Sequence, residues 1–364
     1  VWLIARFDDA VSALKDQNLA LGQFWEGVPE VGGNVQAAFP NVLNTDGLDH
    51  RRLRALVSEG FTPRFVESLR PRVRHLAHEL IDAIEATGGR GFDLMEAFAA
   101  PLPIRVISDM LGLPAGDHER LRVWADQLTD DIGQRMSGYP ESMEAFKAYL
   151  RALFEHQRAR PGDDLVSAMV RAGEGGDALS ERELIGMTSL LIFAGHETTV
   201  RLIGSGMLAL LRRPDAVAEL RARPELLAPA VEELLRLEGP ATMTSPRSAL
   251  ADVRLSDCTV RAGELVVALA SANRDETQFA GPDELHIARG LNRHLAFSRG
   301  VHSSLWAPLA RLEVQEVIGA LLERFPHLAL NIDPRRAHDP DPRFPPKPTS
   351  SCTAPDSGPS SGTA

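Results

Sequence analysis

Four groups of residues in this chain have types and spacings that could do chemistry. The first is Glu197-Thr198-Thr199 inside the run Leu190-Leu191-Ile192-Phe193-Ala194-Gly195-His196. A helical threonine can turn its hydroxyl to the carbonyl four residues back and open a local groove, and a neighbouring carboxylate can pass protons to a ligand held there. By residue types alone, a glutamate and a threonine satisfied inside a core helix account for the same pattern. The second group is Glu233-Leu234-Leu235-Arg236, an acid and a base one helical turn apart that can tie a helix to a neighbouring loop, although many solvated helix faces carry such a pair. The third is a scatter of basic residues, His50 and Arg54 in Asp49-His50-Arg51-Arg52-Leu53-Arg54 and Arg247 after Pro246, each of which alone reads as a surface cation. The fourth is the loop His294-Leu295-Ala296-Phe297-Ser298-Arg299-Gly300-Val301-His302-Ser303-Ser304-Leu305-Trp306, followed by Ala307-Pro308-Leu309-Ala310-Arg311, where Pro308 suits a helix start.

The elements that must position these groups are mostly helical. Apolar periodicity predicts helices at about 63–87, 95–112, 115–135, 140–158, 163–172 and 180–213, with Pro and Gly at many of the joints. Trp2-Leu3-Ile4-Ala5 reads as a short strand, and Asp8-Asp9 as the acidic start of a helix. A strand-rich patch at 252–270, with Val253-Arg254-Leu255 and Glu264-Leu265-Val266-Val267-Ala268-Leu269, supplies the one clear sheet. There is no internal repeat. After Phe344 the chain is almost empty of large apolar side chains, so residues 334–364 are expected to form a disordered Pro/Ser-rich tail.

Composition narrows the function classes. The chain has 364 residues, a 44% apolar fraction and a formal net charge of −11, with arginines spread among acids, which gives no electrostatic case for nucleic acid. No apolar run approaches the roughly 18 residues needed to cross a membrane, and no basic-then-apolar signal opens the chain, so a cytoplasmic protein is expected. Cys258 and Cys352 are the only two cysteines, which argues against a disulfide framework or a cysteine-rich metal site. Neither is near the 294–306 loop in sequence, and each reads as a packing or solvent thiol.

In their order along the chain these motifs resemble the bacterial cytochrome P450 family. Phe297, Gly300 and His302 match its haem loop, Phe-x-x-Gly-x-His/Arg-x-Cys-x-Gly, and Ala194 to Thr199 match its oxygen-activation motif. Glu233 and Arg236 match its Glu-x-x-Arg, about 70 residues before the loop as in the family. The resemblance covers residues 1–333, expected to form one P450-like domain, mainly α with a small β region. It implies several tens of residues before Val1, so the beginning reads as truncated, and a terminal β-hairpin where this chain has its polar tail. It implies haem b with His50, Arg54, Arg247 and His302 at the propionates, Ala194, Phe297 and Arg299 around the cofactor, Glu197 and Thr198 as catalytic proton relay, and Glu233 and Arg236 as a structural pair. The third member of that pair's network is open between Glu284, Arg289 and His294.

The resemblance breaks at Ser298, Ser303, Ser304 and Trp306. Ser304 stands where the family has the cysteine that ligates iron, and Trp306 where it has glycine. A thiol ionises near neutrality beside a metal, while an alcohol is a weaker acid and a harder ligand. The expected function is therefore a monooxygenase of small organic substrates, by lineage fed electrons by ferredoxin and ferredoxin reductase, with its classical activity impaired at the metal position. The alternatives are a haem-free auxiliary protein that stabilises a glycosyltransferase of a natural-product pathway, as family members lacking the cysteine do, and an inactivated gene product.

Overall fold

The computed structural model describes residues 1–22, 24, 39–88, 91–130, 139–172, 179–331 and 352–353. Along the chain run β1 (Trp2–Ile4), α1 (Phe7–Lys15), β2 (Leu19–Ala20), α2 (Gly47–Ser58), α3 (Pro63–Ser68), α4 (Arg70–Ala86), α5 (Pro101–Leu111), α6 (His118–Asp130), α7 (Tyr139–Ala159) and α8 (Leu165–Ala172). There follow α9 (Glu181–Leu211), α10 (Pro214–Ala222), α11 (Leu227–Glu238), β3 (Arg247–Ala249), β4 (Val253–Arg254), β5 (Thr259–Val260), β6 (Leu265–Ala268), α12 (Ala307–Arg324) and β7 (Cys352–Thr353). The expected helices are all present, with breaks where proline dictates them. The 63–87 segment splits at Leu69 because Pro71 begins a new helix, and the 95–112 segment becomes a π-helical turn, Met95–Ala99, followed by α5 with Pro101 in its first turn. The 115–135 segment opens as a 3₁₀ turn before α6 and runs beyond the described residues.

The sheet is larger than the 252–270 patch. Five strands lie in the order β2-β3-β6-β1-β7, with β1 parallel to β6 and β3 antiparallel to it, while β4 and β5 form a separate hairpin. β2 and β3 have two and three residues, too short to carry a readable alternation. Of the expected tail, only Cys352–Thr353 falls within the described residues, paired with β1.

The main core gathers side chains from α2 to α12, and a second cluster packs β1, α1 and the sheet around Ile4, Leu14 and Val266. Helix α9 runs through the main core and is capped by a box in which the Ser180 hydroxyl accepts from Glu183 N while the Glu183 carboxylate accepts from Ser180 N. Of its 31 residues, 18 are buried, so tertiary packing rather than an amphipathic stripe holds it. No described helix is long and apolar enough to cross a membrane.

Candidate functional site

Helix α9 forms one wall of a cavity of about 260 Å³, and the 294–306 loop forms another. On the helix, the Thr198 hydroxyl donates to the Ala194 carbonyl at 2.7 Å, as the i−4 geometry predicts. Both residues line the cavity. Glu197 faces elsewhere: its carboxylate accepts from Arg201 Nη2 at 2.5 Å, one turn along the same helix.

The next threonine has a partner that sequence reading missed. Thr199 is buried and hydrogen-bonds to the fully buried Glu313 of α12. Burial pushes the Glu313 carboxyl up to about 8, and the Thr199 hydrogen bond offsets this only in part. The one trace in the sequence is an acid between apolar neighbours, Leu312 and Val314, on a helix face that is otherwise core.

The loop is fixed from several sides. Ser304 N donates to the Phe297 carbonyl at 2.9 Å, and Leu295 N donates to Asn273 Oδ1 at 2.6 Å. Gly300 has φ +77°, and a Cβ there would lie 2.5 Å from the Leu14 carbonyl, so no other residue fits. Ser298 has φ 60°, alone among the described non-glycine residues in the left-handed region. Arg311 binds Glu232 through Nε and Nη2 and lies 4.6 Å over the Phe297 ring, while His294 Nε2 reaches Glu232 at 3.1 Å. Burial pushes Glu232 up, but the His294 and Arg311 hydrogen bonds outweigh it and hold the carboxyl well below the usual range. Arg299, expected at the cofactor, turns back to donate to the Arg293 and His294 carbonyls at 3.3 and 3.4 Å and is not among the residues lining the cavity.

The Glu233–Arg236 pair is wholly buried and bidentate, with both N–O distances 2.8 Å. Arg236 also donates to the carbonyls of Asn273, Pro282 and Glu284, and Glu233 accepts from His286 N, Arg289 Nε and Asn292 Nδ2. The open choice for the third member thus falls on Arg289. Glu284 contributes only its carbonyl, its side chain being paired with His286, and His294 belongs to Glu232.

The cations converge from distant parts of the chain. Arg54 of α2, Arg247 of β3 and His302 of the loop all line the cavity, and the His50 ring lies 4.2 Å from that of His302. His302 places Nε2 at 2.9 Å from Asp46 and Nδ1 at 3.2 Å from the Val42 carbonyl. His50 is buried with Nε2 unpartnered, and burial, with His302 and Arg54 adding to it, pushes its pKa down to about 4. Arg247 is 4% exposed, and its Nε has no partner. Arg54 forms no ion pair among the described residues.

The fit to haem, the cofactor that the sequence resemblance implies, is divided. At the carboxylate end, the unused Nε of buried Arg247 and the guanidinium of Arg54, which has no ion pair among the described residues, suit propionates. At the opposite end the residues do not fit. Ser304 offers an alcohol, and the Trp306 indole crosses from the loop to α9, where a Cβ on Gly195 would lie 2.8 Å from its Nε1. Trp306 is 8% exposed, packs 5.0 Å from Phe61, and its Nε1 has no partner. The remaining 260 Å³ is below the roughly 300–1,000 Å³ of ordinary small-molecule sites. Cys258 packs against the second core cluster, away from this cavity's lining.

A model of the family described as cytochrome P450 matches residues 136–352. The polyketide biosynthesis cytochrome P450 PksS of Bacillus subtilis is 38% identical over 340 residues, covering 92% of this chain and 84% of that protein. The cytochrome P450 monooxygenase PikC of Streptomyces venezuelae is 43% identical over 339 residues, covering 92% and 80%. Among solved structures, the myxobacterial cytochrome P450 CYP267B1 in complex with myristic acid superposes with a TM-score of 0.85 at 40% identity, covering 92% of this chain and 85% of that one. With a matching fold, a buried Glu233–Arg236 lock and a loop folded against α9, this chain belongs to the cytochrome P450 family.

Proposed function

We propose that this protein derives from bacterial monooxygenases that tailor secondary metabolites, and that Ser304 disables its classical oxygenation. The observation that carries this reading is Ser304 N bonded to the Phe297 carbonyl in a loop that keeps Phe297, Gly300 and His302, so that a hydroxyl stands at the position the family gives to a thiolate. Relatives named for polyketide biosynthesis and for mycinamicin hydroxylation support the substrate class, a bulky apolar natural product. Haem, when bound, supplies the iron at which O₂ is reduced with electrons from a ferredoxin and its reductase, and a thiolate ligand is what favours O–O cleavage. Arg54, Arg247, His50 and His302 would hold its carboxylates. Thr198, bonded to Ala194, would present its hydroxyl oxygen to the cavity, and Glu197 would exchange protons with solvent only after leaving Arg201. The catalytic domain is taken as 1–333, to whose sheet Cys352–Thr353 adds an edge strand beside β1, and a cytoplasmic location is part of the same proposal.

A second reading is a haem-free partner of a glycosyltransferase. It is favoured by the Trp306 indole, which lies across the slot that the macrocycle would need.

Absorption spectroscopy after haem supplementation, reduction and exposure to carbon monoxide separates these readings. A Soret band at the blue-shifted position of a non-thiolate ligand supports the disabled monooxygenase. No band bound to protein supports the helper. A thiolate-type band in the unaltered chain refutes the role given to Ser304.

A further inference from the structure

Two walls that face each other across a slot must be packed, because protein interiors are close-packed and a gap forfeits contacts on both sides. Here the walls are α9 at Ala194 and Thr198 and the loop at Phe297 and Leu305, and the Trp306 side chain crosses between them. Trp306 stands at the start of α12 with its carbonyl accepting from Ala310 N at 2.9 Å, so its backbone is anchored to that helix. The edge of its indole meets α9 at Gly195, where a Cβ would lie 2.8 Å from Nε1 and 3.2 Å from Cδ1, with Ile107 of α5 alongside at 3.5 Å. The Phe61 ring, in the turn after α2, packs 5.0 Å from the indole at a tilt of 46°.

Trp306 is 8% exposed and belongs to the main core. A buried tryptophan covers about 150–250 Å² and usually finds an acceptor for its N–H. This indole has none, so contact area rather than a hydrogen bond holds it. Gly195 is what admits it, since any larger residue there would stand in the ring's place. A ring seated in this way does mechanically what a flat ligand between the same walls would do. It joins the loop, α9 and the turn after α2 into one packed unit.

We propose that Trp306 is a built-in substitute for the planar cofactor, an indole that packs the slot, holds the loop to α9 and gives the chain its full stability with no haem bound. The proposal deepens the haem-free reading above and rests on it only in that haem is excluded; it does not depend on a glycosyltransferase being the partner. The two mismatches then have one physical sense. The alcohol of Ser304 removes the metal bond, and the indole two residues on supplies the packing that the bound cofactor would have supplied.

The test is thermal unfolding of the purified full chain with and without equimolar haem, followed by circular dichroism and by absorption in the Soret region. The unaltered chain should melt in one transition whose midpoint haem does not move, with no protein-bound Soret band. Trp306→Gly should melt about 5 °C lower without haem. Haem should raise the midpoint of that variant and give it a Soret band. Trp124→Ala removes an equally buried indole outside the slot, and its loss should not be rescued. Trp306→Phe keeps a ring and gives up only an N–H without a partner, so it should lose less than half as much as the glycine variant. Gly195→Ala should lower the midpoint of the unaltered chain but not that of Trp306→Gly, where alanine simply favours the helix. If the glycine variant does not fold, Trp306→Phe and Gly195→Ala in the unaltered chain decide: a phenylalanine variant that also fails to fold, or an alanine variant of unchanged midpoint, overturns the proposal. So does a haem-raised midpoint or a Soret band in the unaltered chain, haem rescue of Trp124→Ala, or an equal effect of Gly195→Ala in both backgrounds. Failure to bind any glycosyltransferase would end the helper reading and leave every one of these midpoints where it is.

Discussion

Replacing Glu313 with Gln should stabilise the protein, by an amount that depends on pH. The side chain is fully buried between α12 and α9, and burial raises its carboxyl from 4.5 to about 8, against the opposing pull of Thr199. Between these two values the folded chain holds a proton that the unfolded chain has released. The unfolded state therefore binds fewer protons, and stability falls as pH rises through that window. At pH 7 the window has been crossed for 2.5 units from the unfolded value, which at 1.36 kcal/mol per unit is a penalty of about 3 kcal/mol. A glutamine side chain has nearly the same shape, can donate to the Thr199 hydroxyl, and does not titrate. The Glu313→Gln variant should match the wild type to within about 1 kcal/mol at pH 5 and exceed it by about 3 kcal/mol at pH 7, a rise in urea midpoint of roughly 1 M. Urea unfolding of both proteins at pH 5, 7 and 8.5, followed by far-ultraviolet circular dichroism, measures the gap. A gap that does not change with pH would refute the assignment of a protonated, buried carboxyl. A glutamine variant less stable than the wild type at pH 7 would refute it too, since the amide would then be failing where a neutral acid succeeds.

Three further outcomes are expected. Ser298→Gly relieves a left-handed φ of 60° and should raise stability by about 1 kcal/mol, read as an upward shift of the thermal midpoint. Arg236→Leu removes two of the five donors to the buried Glu233 carboxylate, leaving those of Arg289, His286 and Asn292, and strips three carbonyls of their donor, so it should cost about 3–5 kcal/mol and sharply lower the yield of soluble folded protein; a normal yield and midpoint would show that the lock is dispensable. Ser304→Cys with Trp306→Gly, scored by the ferrous carbon monoxide spectrum, should bring back a thiolate-type Soret band that Ser304→Cys alone gives weakly, because the indole still touches Gly195. Equal spectra from the single and double variants would show that the indole does not obstruct haem.

Local sequence determined much of this protein. The 3.6-residue periodicity of 140–158 specified α7, the Leu190–Gly195 apolar run belonged to the buried helix α9, prolines at 71 and 101 started new helices where a backbone donor is missing, and the Thr198 hydroxyl reached the Ala194 carbonyl through the geometry of one helical turn. The Glu233–Arg236 pair was legible for the same reason, since i and i+3 share a face. Whatever depended on how elements cross was decided only by tertiary structure. Arg289, rather than Glu284 or His294, meets Glu233 because the turn after Pro282 orients three backbone groups that no spacing encodes. Arg54, Arg247 and His302 meet at one cavity from a helix, a three-residue strand and a loop, although Arg299, equally well placed in the sequence, turns away to its own loop carbonyls. Glu313 acquires its raised pKa only because α12 packs against Thr199, and Trp306 becomes an obstruction only because the loop's path aims the indole at Gly195, an α9 residue with no Cβ to hold it off. Periodicity and capping act within a few residues along the chain, whereas burial, close approach and the meeting of charges are properties of packed surfaces.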